Sequence, residues 1–372
     1  MTINEIFMSV MAVGVILGGA DKLLGCRLGI GQRFVDGLNC IAPMAMNMGG
    51  ILVIAPALAQ LAQPVLVPLF RAIGADPAMF GSLFSIDMGG YSLAAGLAED
   101  PRMGLFAGLI VAALFGGIIS YIIPVGMGLI QPEEQDFFIK GILLGLLPLP
   151  LGCFTGGLLM GLDVGILLVN LSPILLLDIF LLVGLLRFPQ QLVHGFGIFN
   201  RGIAALAILG LMVGAVEYLT GIALLPGAQP ILESFVIPGR IAVMLMGCLP
   251  LLELLFRLAH HLLAPLGRRL GINDVTLEAL LLITTTAIPA FSMLREMPPK
   301  GKTAAIAWMC GSMGLATSHY AFALGVDPSV CLSQAIAKLI VGGIRLGIAL
   351  AIPSTSAFYQ TGTPAGSLQK EH

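Results

Sequence analysis

Apolar runs alternate with short polar links along the whole chain. They cover about residues 5–24, 41–64, 79–98, 103–130, 138–160, 164–186, 201–221, 238–261, 277–294, 304–324 and 330–352. A helix needs roughly 20 apolar residues to cross a bilayer. The runs are long and do not alternate apolar with polar, so they read as helices rather than barrel strands. The expected fold is an all-α polytopic membrane protein with nine to eleven hydrophobic segments.

Two runs are interrupted by polar residues. The first carries Phe84-Ser85-Ile86-Asp87-Met88-Gly89-Gly90-Tyr91-Ser92. An ionisable group at membrane depth is costly and marks a functional site by default. Gly89-Gly90 weakens the helix and exposes backbone, and broken helices survive in a membrane only inside protein or beside a wet cavity. The alternative is a kink whose Asp87 is satisfied by a neighbouring hydroxyl. The second interrupted run carries Ile283-Thr284-Thr285-Thr286-Ala287-Ile288-Pro289. Back-bonding of each hydroxyl to the preceding turn explains one or two of these threonines more easily than three.

The two runs correspond under an internal repeat. Offsetting the chain by 197 residues superposes Pro68 on Pro265, Arg71 on Arg268, Gly74 on Gly271, Glu99 on Glu296, Pro101 on Pro298 and Gly117 on Gly314 without a gap. Asp87 then falls on Thr284. Interrupted segments at corresponding places in two halves are the best sequence pointer to a transport site.

Cationic residues set the expected orientation. If all eleven segments span, Lys and Arg divide nine to seven between the two sides. If the Asp87 and Thr284 segments instead enter and leave on one side, thirteen fall inside. Only Arg71, Arg102 and Arg240 fall outside. The second scheme makes the halves inverted, with a re-entrant segment in each and an outside N-terminus. The expected parts are repeat 1 over 1–162, a connecting helix over 163–188, repeat 2 over 189–352 and a disordered tail over 353–372.

Composition agrees with a membrane class. Apolar residues make up 58% of the chain and charged residues 10%, with mean hydropathy +1.01; soluble domains carry about 25% charged residues. No basic tract suggests nucleic acid. The six cysteines form no C-x-x-C pair and no Cys/His cluster, so neither a metal nor another cofactor is expected. The first run has no Lys or Arg before it and reads as a retained helix, not a signal peptide. No catalytic constellation stands out, so an enzyme is not expected. Other polar residues at membrane depth are Asn47, Asp178, Glu217, Glu253 and His319. Asp178 reads as a lipid-facing oddity, a subunit contact or a partner for Asn170. His319 lies in the polar stripe Gly311–Tyr320, which either lines the pathway or packs two helices.

On Asn4-Glu5-Ile6, the block Gly81 to Gly96, Leu282 to Phe291 and Gly311 to Tyr320, the chain resembles the ethanolamine permease family of bacterial ethanolamine-utilisation operons. The resemblance implies a multi-pass carrier of the bacterial cytoplasmic membrane that brings ethanolamine into the cell, with the lipid bilayer as its other partner and a homo-oligomer left open. It supplies no residue-level site. From the residues themselves, an ammonium needs a carboxylate or aromatic faces, and the alcohol needs a hydroxyl or amide. Asp87, with Tyr91 or Phe84 as wall, suits the first. Thr284, Thr285, Ser85 or Asn47 suits the second. The competing readings are an ion-coupled symporter for another small polar metabolite and a membrane-embedded electron-transfer subunit. The latter needs paired His ligands on facing helices, and no such pairing is evident.

Overall fold

The computed structural model describes residues 3–83, 90–353 and 355–359, and every regular element among them is helical. Among the described residues, eight helices are long and apolar enough to cross a bilayer. They are α1 (Ile3–Leu23), α3 (Gly50–Ala72), α6 (Pro101–Leu129), α7 (Pro132–Leu159), α8 (Val164–Arg187), α9 (Pro189–Thr220), α10 (Val236–Leu270) and α15 (Cys331–Ala351). A short helix, α2 (Ile30–Asn39), follows α1. It was not foreseen, because its apolar face is too brief to stand out in the hydropathy pattern.

The other three runs are divided. Residues 79–98 give α4 (Ala78–Leu83) and α5 (Gly90–Leu97). Residues 277–294 give α11 (Asp274–Ile283) and α12 (Ile288–Met293). The run 304–324 was expected as one helix, but it forms α13 (Pro299–Ser312) and α14 (Ser318–Val326). Gly314 at φ +64° and Thr317 at φ −136°, ψ −103° cannot continue a right-handed helix. A second correction concerns α9. His194, Asn200 and Arg201 lie on it rather than in a loop, because Pro189 at its first turn starts the helix early.

Hydrogen bonds tie together the ends of two divided segments. The carboxylate of Asp76, before α4, accepts from the backbone N–H of Glu99 at 3.2 Å and of Asp100 at 3.0 Å, after α5. Arg71 also pairs with Glu99 at 2.6 Å. Before α11, the Asn273 amide donates to the carbonyl of Glu296 at 2.7 Å, after α12. Each segment therefore leaves and returns to one neighbourhood.

Two close crossings join the halves. α1 packs on α10, and α9 packs on α3. Gly247 of α10 lies against the backbone of Met11 and Gly14, and Gly50 of α3 against Ala207 and Gly210. A Cβ on Gly50 or Gly247 would overlap a backbone carbonyl of the facing helix. Small residues at such crossings let helices approach where lipid offers no hydrophobic drive.

The core centres on α6, whose Phe106, Leu109, Ile110 and Phe115 are fully buried. It is wound as a π-helix over Phe106–Gly116 and Ile118–Ile122, a geometry frequent at functional sites. Asp100 caps its start, and Arg102 holds the Asp100 carboxyl below the ordinary aspartate range through side-chain and backbone hydrogen bonds.

Candidate functional site

Of the seven residues expected at the site, Phe84, Ser85 and Asp87 lie outside the described residues. The backbone of Asn47 sits in a π-helical turn, Ala45–Gly49, before α3; its side chain is also outside the description. Tyr91 is half-buried at the start of α5. Its ring meets Phe322 of α14 edge-on at 6.1 Å, and its backbone lies against Gly108 of α6. Thr284 and Thr285 follow the last turn of α11. Their hydroxyls donate to the carbonyls of Leu281 and Leu282 at 2.7 Å each. Back-bonding therefore does account for both protons. It leaves each oxygen only lone pairs to offer, which suits a cationic donor.

Thr285 lines a cavity of about 570 Å³. Neither Thr284 nor Tyr91 does, so the structure does not gather the expected residues in one place. The cavity floor is buried Thr317 with half-buried Thr285 and Ser318, exposed Thr286 lies along its wall, and its mouth carries Asp36, Glu253 and Glu278 with Arg33. Arg33 pairs with Glu253 at 3.0 Å and with Asp36 at 3.6 Å. Arg257 also reaches Glu253 at 3.0 Å. Glu278 is exposed on the cavity-facing side of α11 and has no ion pair among the described residues. Three carboxylates against the two guanidiniums of Arg33 and Arg257 leave the mouth one negative charge in excess, with Glu278 outside the ion pairs, which favours cations.

The floor joins two chain breaks. The N–H of Ala316 donates to the carbonyl of Thr284 at 3.0 Å. The hydroxyl of Thr317 donates to the carbonyl of Thr285 at 2.8 Å, and the thiol of Cys248 donates to the carbonyl of Ala316 at 2.6 Å. At this junction α11 presents its C-terminus and α14 its N-terminus. A helix carries partial negative charge at the former and partial positive charge at the latter. A small molecule with an ammonium at one end and a hydroxyl at the other matches that polarity.

Sequence reasoning missed Glu278 and Asp36, and reached Thr317 only as part of the Gly311–Tyr320 stripe. A signal did exist for Glu278, because Glu278, Leu282, Thr285 and Thr286 share one helical stripe. No sequence signal joins Thr317 to Thr285, which meet only through the fold. The readings of Asp178 are corrected. It is 2% exposed, so it does not face lipid. Asn170 is engaged elsewhere, accepting from the N–H of Asp76 at 2.6 Å and donating to Ile166 at 2.8 Å. Asp178 instead lies in the electrostatic field of Arg345, which is fully buried on α15.

Residues 3–352 match the family described as "Ethanolamine utilisation protein, EutH". A Listeria monocytogenes protein named "Probable ethanolamine permease EutH" is 36% identical, covering 94% of this chain and 95% of its own length. The uncharacterized protein YxeR of Bacillus subtilis is 35% identical over 97% of this chain and 98% of its own length. An Escherichia coli protein, also named "Probable ethanolamine permease EutH", is 29% identical, covering 94% and 95%. No solved structure matches.

Proposed function

The chain belongs to the EutH family of ethanolamine utilisation proteins, and on that premise we propose that it carries ethanolamine into the cell across the bacterial cytoplasmic membrane. One observation carries the reading to a place in the molecule: the cavity with an acidic mouth and a floor of hydroxyls and opposed helix ends. Ethanolamine near neutral pH is a small primary ammonium with one hydroxyl. At the mouth Glu278 attracts the ammonium as it leaves for the inside of the cell. About 10 Å further along α11, by the rise of seven helical residues, the ammonium donates to the oxygen of Thr285 and to the carbonyls at the helix end. The substrate hydroxyl turns toward Ser318 at the start of α14. Asp87 is the proposed carboxylate partner for the ammonium, and Phe84, Ser85, Tyr91, Asn47 and Thr284 are the other proposed substrate contacts.

The two halves act as inverted repeats around this path. Asp76 and Asn273 are 197 residues apart, and each ties its own segment to Glu99 or Glu296, which share the same offset. Gly50 and Gly247 also share it, and each sits at a crossing with the other half. These pairings support re-entrant segments at 79–98 and 277–294, α8 as a connecting helix, and the division at residues 162 and 188. With the charge count, they support an inward-facing cavity whose mouth is the exit of uptake.

Uptake of labelled ethanolamine into proteoliposomes, with and without ion gradients, tests the function. Saturable uptake that weakens in Glu278→Gln and Thr285→Val is expected. Absence of saturable uptake by folded protein would overturn it.

A further inference from the structure

Lys338 is 1% exposed on α15. An ammonium buried in a membrane protein is expensive and marks function by default. Its Nζ donates to the carbonyl of Met313 at 3.0 Å. That carbonyl stands where α13 ends and the chain leaves helical geometry, with Met313 at ψ 131°. The turn that begins there is the one that closes on Thr284 and Thr285 through Ala316 and Thr317. One helical turn before Lys338, Gln334 donates to the carbonyl of Leu109 at 2.6 Å, inside the π-wound stretch of α6. α15 thus presents two long polar side chains in register, each to a carbonyl where another helix is irregular.

We propose that Lys338 is a positioning residue for the cation site. It holds the Met313–Thr317 turn, and through that turn it fixes the Thr284 and Thr285 carbonyls that shape the cavity floor. Lys338 does not line the cavity, so it acts through the turn and not on the substrate. A bond from a charged donor is worth more than a neutral one, and a lysine stem is long enough to reach across to the turn from a straight helix. The ordinary backbone partner of the Met313 carbonyl is lost at the break, so the ammonium replaces a helical N–H. The inference rests on reading the cavity as the ethanolamine site.

The test uses the full-length carrier as parent, Lys338→Met, Thr317→Val and the double variant. Ethanolamine affinity is measured by calorimetry in detergent, uptake in proteoliposomes, and stability by thermal melting. Lys338→Met is expected to weaken affinity about tenfold to hundredfold, the equivalent of one charged hydrogen bond. KM should rise while Vmax per folded carrier holds. Because both side chains act on one turn, the double variant should bind no more weakly than the worse single variant. Additive losses, parental affinity in Lys338→Met, or a fall in Vmax at unchanged KM would each overturn the proposal. If Lys338→Met does not fold, Lys338→Gln, which keeps a donor without the charge, replaces it. If the parent itself binds no ethanolamine, the cavity reading fails on its own. Melting then decides the positioning claim: non-additive losses at 338 and 317 uphold it, and additive losses end it.

Discussion

The hydroxyl of Thr317 donates to the carbonyl of Thr285 at 2.8 Å, across two breaks that lie 32 residues apart in the chain. The bond closes the floor of the cavity with backbone from one segment and a side chain from another. Thr317→Val keeps the shape and removes the donor. Leaving the Thr285 carbonyl without it should cost about 1–3 kcal/mol, read as a lower melting temperature and weaker ethanolamine binding. A variant that melts and binds like the parent would show that the two breaks are held by other means.

The order of two substitutions tests the pathway. Asp87→Asn removes the proposed partner of the substrate ammonium, and breaking a buried pair costs on the order of 3–5 kcal/mol. Thr285→Val removes one neutral hydroxyl acceptor, worth roughly 1 kcal/mol. Calorimetry on folded variants should therefore rank Asp87→Asn as the larger loss. If Asp87→Asn binds normally, the carboxylate for the cation is elsewhere, with Glu278 the next to examine.

Buried Asp178 should matter through folding. Its removal leaves the guanidinium of Arg345, fully enclosed between helices, without that counter-charge. The two groups interact through space without a direct ion pair, so Asp178→Ala is expected to destabilise by about 0.5–3 kcal/mol. Asp178→Leu combined with Arg345→Met should recover much of that. Denaturant unfolding reads both. An Asp178→Ala protein with parental stability would mean that the two charges are independent.

The glycine crossings predict matched effects. Gly50→Ala and Gly247→Ala each force apart a helix pair and should cost about 1–3 kcal/mol by overpacking. Gly343→Ala has open space around it and serves as control; helix propensity alone makes it neutral or stabilising by up to about 1 kcal/mol. Unequal losses at 50 and 247 would argue against equivalent roles in the two halves.

Topology has a direct check. Glu99 and Arg295 are both exposed, and the proposed inverted repeats would put them on opposite faces. Cysteines introduced there, in a background lacking the native six, should react with a membrane-impermeant reagent from opposite sides of oriented vesicles. Reaction of both from one side would rule out inverted repeats.

The apolar runs by themselves determined a helical membrane protein, because a bilayer permits only segments that satisfy their own backbone. The interrupted run at Thr284 was equally legible, since three hydroxyls and Pro289 conflict locally with a lipid-facing helix. The resemblance at residues 81–96, 282–291 and 311–320 pointed to the family now matched over 3–352. The division of 304–324 was not legible, because Gly314 is tolerated in a helix and only its positive φ ends one. Nor did any pattern mark Lys338 or Arg345 as buried inside protein, since a polar residue on an apolar helix reads the same whether it faces a neighbour or a cavity. Whether Asp178 faced lipid, and which side chains met across the cavity floor, was settled by packing. Those contacts depend on which helix lies beside which, and the spacing of residues along one chain does not carry that information.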